Sequence, residues 1–151
     1  MRMTLAFLLT SVVLLFAPAC ASQPAFKPVA SVKQLMVAAV APSADVLFDS
    51  VGTVVSFSGV EEIAPKNDEE WAIVRNNALI LAESGNLLMM GNRAKDKGDW
   101  MKASQALVSA GVAAVKAAEA KDAAALLEAG GAIDAVCDQC HTKYWKEDPT
   151  R

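Results

Sequence analysis

The sequence predicts an all-α domain: an up-down-up-down antiparallel four-helix bundle. Three observations predict it. Apolar residues recur at alternating three- and four-residue steps in long stretches, the mark of a helix with one buried face. The loops between these stretches are modest, which makes consecutive helices antiparallel neighbours. No run alternates with period two for long, and the 6% aromatic content beside abundant alanine suits closely packed helices.

Residues 1–21 precede the bundle. Arg2 is followed by an apolar stretch from Leu5 to Ala17, broken only by Thr10 and Ser11, and then by small residues at Ala17, Ala19 and Ala21. That order predicts a secretory signal peptide, cleaved on export to the periplasm. The apolar stretch is short for a transmembrane helix. Cleavage after Ala21 discards Cys20; cleavage before Cys20 would expose it for lipidation, against which Pro18 argues. Membrane contact is expected only if the N-terminus is retained or lipidated. Residues 22–151 form one domain of about 130 residues. Arg2 is the only charged side chain removed, so the formal net charge of −3 becomes −4. An acidic chain of this kind argues against a basic nucleic-acid face.

The first helix is expected from about Ser31, a plausible N-cap, to Val55. Pro42 falls inside it and predicts a kink or break. Val51 to Phe57 is rich in β-branched residues, but one isolated strand would have no partner. Asn67 and Glu70 have the spacing of a capping box for the second helix, whose stripe is Trp71, Val74, Ala78, Leu81, Gly85 and Leu88. Gly91 to Gly98 reads as a polar loop with Asn92, Arg93, Lys95, Asp96 and Lys97. Asp99 is expected to cap the third helix, which carries Trp100, Ala103, Leu107, Ala110, Ala114 and Ala117. A turn near Ala120-Lys121-Asp122 leads into the fourth. There Leu126, Gly130, Ile133, Cys137, Cys140 and Tyr144 share one face.

The chemistry is carried near the C-terminus, by Cys137-Asp138-Gln139-Cys140-His141. C-x-x-C-H is the pattern of covalent c-type haem attachment. The two thiols add across the haem vinyl groups, and the adjacent imidazole binds the iron. On a helix, positions 137, 140, 141 and 144 lie on one face, so both sulfurs and the imidazole are expected to point into the bundle. Removing Cys20 leaves only this pair of thiols, with none for a structural disulfide. A thiol-disulfide enzyme is disfavoured, because a helix C-terminus opposes thiolate formation.

His141 is the only histidine. Two-histidine ligation within one subunit is therefore excluded, and a zinc site would need an unidentified fourth ligand. The opposite iron face takes a methionine or stays open. The topology puts Met36, Met89, Met90 and Met101 near the haem end. Met36 lies about 7.5 Å in from its helix start and His141 roughly 6 Å from its helix end, at 1.5 Å per residue, so Met36 matches best in height. Trp71 and Trp100 continue apolar stripes and are expected in the core. Trp145 is placed to cover a haem edge. Lys143 and Lys146 could meet propionates or a partner, but are more simply solvated.

With these features the chain resembles the class II c-type cytochromes, the cytochrome c′ and cytochrome c556 group. The resemblance spans nearly the whole mature chain. It rests on the C-terminal C-x-x-C-H of Cys137, Cys140 and His141, on Tyr144 three residues after the histidine, and on a methionine early in helix one. Trp145 stands where the family often has a basic residue. Val32, with Lys33 beside it, stands where it often has an arginine. The resemblance implies a four-helix bundle holding one covalent haem c, with Tyr144 packed against it. In c556 members the early methionine is the sixth iron ligand, and Met36 takes that position. In c′ members an apolar residue there leaves the iron five-coordinate and able to bind small gases such as NO and CO. The expectation is an exported monohaem electron carrier, not an enzyme, that exchanges electrons with unidentified redox partner proteins. The apolar helix faces can also support a homodimer, common in that group.

Overall fold

The computed structural model describes residues 26–145. The expected signal peptide, Cys20 and Lys146 lie outside them. Ser31 opens helix α1 with a capping box: its hydroxyl accepts from the Gln34 N–H at 3.2 Å, and its own N–H donates to the Gln34 side chain at 2.9 Å. Helix α1 comprises Val32–Leu35, a π-helical segment Met36–Val40, and Ala41–Ser50. The break expected at Pro42 is instead this π turn, and the helix continues through it. Proline lacks an N–H, and its ring crowds the carbonyl four residues back. The widened turn before Pro42 relieves that crowding, and the Ala41 N–H reaches the Met36 carbonyl.

The expected extension of the first helix to Val55 is not found. Helix α1 ends at Ser50, and Val51 is already extended. Gly52–Ser56 forms strand β1, which pairs antiparallel with β2, Gly59–Ile63, from Gly52↔Ile63 to Ser56↔Gly59. The β-branched run is therefore a strand, and its partner is the segment that follows it. Thr53, Val54 and Val55 are stiff at χ1 and favour extended backbone. Gly59, at φ +139°, lets the chain reverse where a side chain would be strained.

Helix α2 is Asp68–Leu88. Asn67 caps it, accepting from the Glu70 N–H at 2.9 Å. The Glu70 carboxylate accepts from the Lys66 N–H at 2.6 Å and from the Asn67 amide at 2.8 Å. Asp68, Glu69 and Glu70 place negative charge in the first turn, where the helix dipole favours it. The whole expected stripe from Trp71 to Leu88 is buried.

The expected loop holds a short 3₁₀ turn, Gly91–Arg93. Arg93 is not a solvated loop residue: it is 6% exposed. Its Nε donates to the Ala30 carbonyl at 2.9 Å and its Nη1 to the Leu87 carbonyl at 3.1 Å. It ties the chain before α1 to the last turn of α2, where a cation suits the helix dipole.

Helix α3 is Asp99–Ala120 and α4 is Ala123–Tyr144. Asp99 is not the cap of α3; it is the first helical residue, and Gly98 at the N-cap offers no side chain. Asp96 does the capping, accepting from the N–H groups of Gly98 at 2.8 Å and Trp100 at 3.1 Å. Lys121, at φ +54°, ends α3, and Asp122 caps α4 by accepting from the Ala125 N–H at 3.0 Å.

The four helices pack antiparallel, with neighbour contacts α1–α2, α2–α3, α3–α4 and α4–α1 closing a ring. Leu47, Leu81, Leu126 and Ile133, one from each of three helices plus a second from α4, are fully buried at its centre. At one end Lys121 reaches Asp68 at 2.7 Å. At the other, the start of α1, the end of α2, the start of α3 and the end of α4 gather. Among the described residues no helix is long and apolar enough to cross a membrane.

Candidate functional site

The Cys137–His141 segment occupies the last turns of α4, at the end where α2 finishes and α3 begins. Three contacts hold that end together. The Trp100 indole N–H donates to the Leu88 carbonyl at 2.8 Å, closing the last turn of α2. The Trp100 and Tyr144 rings meet edge to face at 5.0 Å. The Tyr144 hydroxyl donates to the Asp96 carboxylate, the same group that caps α3. Tyr144 is therefore anchored through both its ring and its hydroxyl. Lys143, expected to be solvated, pairs with Asp99 at 2.7 Å across a surface position, a pair worth little on its own.

The site residues do not all point to one place. Cys137 is half-buried and packs against the core. Cys140 lines a cleft of about 230 Å³ between α3 and α4, with Asp99, Lys102, Ala103, Lys143 and Tyr144. His141 is half-buried and meets the Trp145 ring edge to face at 4.7 Å, and Trp145 itself is 64% exposed. The face shared by 137, 140, 141 and 144 thus spans from the core to the α3 groove, rather than pointing wholly inward. Among the described residues, no group of three or more His, Cys, Asp or Glu side chains is arranged to hold a metal ion.

Met36 lies on α1, half-buried against the core, and opens the π-helical segment, which packs against α2. Met101 also borders the core, at the start of α3. Met89 and Met90 are half-buried just beyond α2. Of the methionines at this end, Met36 is the one that lies in the π turn. Pro42 was its only advance signal in the sequence.

Both thiols are free. Burial pushes the Cys137 thiol up, and the nearby Asp134, Cys140 and Asp138 add to the effect. Burial also raises Cys140. Both stay protonated at neutral pH, the opposite of an activated redox pair. A larger groove of about 440 Å³, lined by Ala117, Ala125 and Ala129, lies at the other end of α3 and α4 and contains none of the candidate residues.

Comparison with protein-family models, with curated proteins and with solved structures finds no match. Two free thiols one helical turn apart with an imidazole next to the second are the donor types that covalent haem attachment uses, and Met36 adds a thioether at the same end, on a π segment that packs against α2. The cleft at Cys140 is smaller than the ~300–1,000 Å³ usual for cofactor sites. Seating a macrocycle requires the surrounding side chains to part.

Asp96 has a measurable role at this end. The Tyr144 hydroxyl holds its carboxyl below the usual carboxylate range; burial opposes this, and the Gly98 and Trp100 N–H groups and the Lys143 charge reinforce it. A depressed folded value means the stabilisation is full above the unfolded value, near 3.8, and is lost as pH falls through the folded one. Asp96→Asn is expected to lower stability at about pH 7 and to flatten the loss below about pH 4. Urea midpoints at both acidities check this. An acid dependence identical to that of the parent would show that Asp96 carries none of it.

Proposed function

We propose that the protein is an exported monohaem c-type cytochrome that carries single electrons. Cys137 and Cys140 would hold the haem through thioether bonds, and His141 and Met36 would be its iron ligands. The observation that carries this reading is Cys137-x-x-Cys140-His141 on the last turns of the last helix of an antiparallel four-helix bundle. That is the arrangement of the class II c-type cytochromes which the sequence resembles.

The haem supplies the one-electron chemistry, and the chain supplies ligands, orientation and a low-dielectric surround. Trp100 and Asp96 fix Tyr144 against the motif, which limits movement of the last turn of α4. Met36 opens the π turn of α1 and Val40 closes it, and the burial of Leu35 and Val40 fixes that turn on the bundle. Thioether ligation favours the reduced state and raises the potential. The signal-like residues 1–21 support delivery to the periplasm, where unidentified redox proteins would be its partners.

A five-coordinate, gas-binding haem protein of the c′ type is the second reading. The packing of Met36 against the apolar core favours it, because a methionine can fill space without ligating. Optical spectra of the purified protein, ferric and ferrous, with and without carbon monoxide, separate the two. The electron carrier is expected to show a covalent c-type haem, low-spin iron in both states and little response to carbon monoxide. Met36→Ala is expected to turn the site high-spin and open it to carbon monoxide. An unchanged spectrum in that variant would remove Met36 as the ligand, and a protein without covalent haem would remove the proposal.

A further inference from the structure

The β-hairpin takes no part in the candidate site. All of β2 and all of β1 except Gly52 are exposed. Its apolar side chains face water: Val55 is 76% exposed, Val60 67% and Phe57, at the tip, fully so, with Val54 and Ile63 also exposed. A lone two-stranded hairpin is marginal in water, and three or more strands are normally needed. Each strand also leaves one edge of main-chain N–H and C=O groups unpaired, a template for another strand.

The two edges differ in charge. Strand β2 carries adjacent Glu61 and Glu62, and charged side chains on an edge deter pairing. Strand β1 reads Gly-Thr-Val-Val-Ser, with no charge and no proline, and its register with β2 is unbroken by any bulge. We propose that β1 is a self-association edge: two copies pair β1 to β1, antiparallel about a two-fold axis, into a four-stranded sheet. A closed two-fold pairing of this kind uses the same edge from both copies.

Charge placement selects this arrangement. It puts the acidic β2 strands outermost, three strand spacings or about 14 Å apart, beyond the screening length of about 8 Å at physiological salt. Pairing β2 to β2 would set Glu61 and Glu62 of the two copies side by side. Val55 and Val60 are register partners on one face, so pairing through β1 joins four valines into one apolar patch. Residues 51–65 contain no lysine or arginine, which disfavours an anionic lipid surface as the alternative occupant.

The test is sedimentation of the purified protein over about a hundred-fold range of concentration. The parent is expected to dimerise. Val54→Lys is expected to weaken the dimer at least about ten-fold, since it sets like charges together across the two-fold axis. Within one copy the new lysine faces Glu61, the register partner of Val54, so the hairpin itself gains an opposite-charge pair. Glu61→Thr with Glu62→Thr opens the second edge and is expected to produce assemblies beyond the dimer. A parent that stays monomeric throughout overturns the proposal, as does a dimer that Val54→Lys leaves intact, which would place the interface on the helix faces. A monomer that binds phosphatidylcholine vesicles, and loses that binding in Phe57→Ser, assigns the hairpin to lipid instead.

Discussion

Trp100→Ala is expected to lower the unfolding free energy by about 3–5 kcal/mol. Against a total of about 5–15 kcal/mol for a domain, that is roughly a fifth or more of the stability. The side chain is 3% exposed and makes two separable contributions. Its rings fill the space between the end of α2 and the end of α4, meeting Tyr144 at 5.0 Å. Its N–H satisfies the Leu88 carbonyl at 2.8 Å. Trp100→Phe keeps much of the first and removes the second. An unpaired buried carbonyl costs about 1–3 kcal/mol, so the phenylalanine variant is expected between the parent and the alanine variant. Denaturant midpoints order the three proteins. Amide exchange locates the effect: Trp100→Ala is expected to speed exchange in the last turn of α4, around Cys140 and Tyr144, more than in its first turn. A uniform rise along α4 would mean that Trp100 acts only on global stability and does not hold the motif.

The helices were legible because each buries a single face, and that constraint writes a 3.6-residue period into the chain. Every stripe position expected on α2 and α3 is buried, from Trp71 to Leu88 and from Trp100 to Ala117. On α4 the burial is complete at Leu126, Gly130 and Ile133 but only partial at Cys137, Cys140 and Tyr144. Period alone says which residues share a face, not how far a neighbouring helix covers it, and so it put Cys140 inside rather than in the α3 cleft. The misses are residues whose role depends on a partner remote in sequence or on local loop shape. Arg93 sits in a polar run and reads as solvated; its burial depends on Ala30, 63 residues away. Asp96 caps α3 from three residues before it, because the loop folds its carboxylate back over Gly98 and Trp100. The strand at Gly52–Ser56 was visible as a β-branched run. Its partner, with Glu61 and Glu62 inside it, shows no alternation that would announce a strand. Pro42 correctly marked an irregularity in α1, but only the backbone could show that a helix absorbs it by widening a turn.

Two glycine-to-alanine changes are expected to have opposite signs. In a helix interior alanine is favoured over glycine by about 0.8–1.0 kcal/mol. Gly131, on the exposed side of α4, has nothing within 4 Å of where a Cβ would stand, so Gly131→Ala is expected to stabilise by up to about that amount. Gly111 faces α2, and a Cβ there would lie 2.8 Å from the Ala82 nitrogen and 2.9 Å from its Cα and Cβ. Those are mostly backbone atoms, which cannot swing aside as a side-chain tip can. One turn further along α2 the same closeness recurs: a Cβ on Gly85 would lie 2.7 Å from the Ser104 carbonyl oxygen. The α2–α3 pair is therefore held close at two successive points, on the side of the bundle that leads to Leu88 and Trp100. Overpacking costs about 1–3 kcal/mol, so Gly111→Ala is expected to be net destabilising, by up to about 2 kcal/mol once its helix propensity is credited. Gly111→Val adds bulk against the same backbone together with the β-branched penalty, and a loss of about 3 kcal/mol or more is expected. The cause is separable by a double-mutant cycle with Ala82→Gly. Taking away the facing methyl costs about 1 kcal/mol alone but relieves part of the clash, so the two changes together should cost less than their sum. Strict additivity would mean that the Ala82 methyl carries none of the clash and would leave it with the Ala82 backbone nitrogen and Cα.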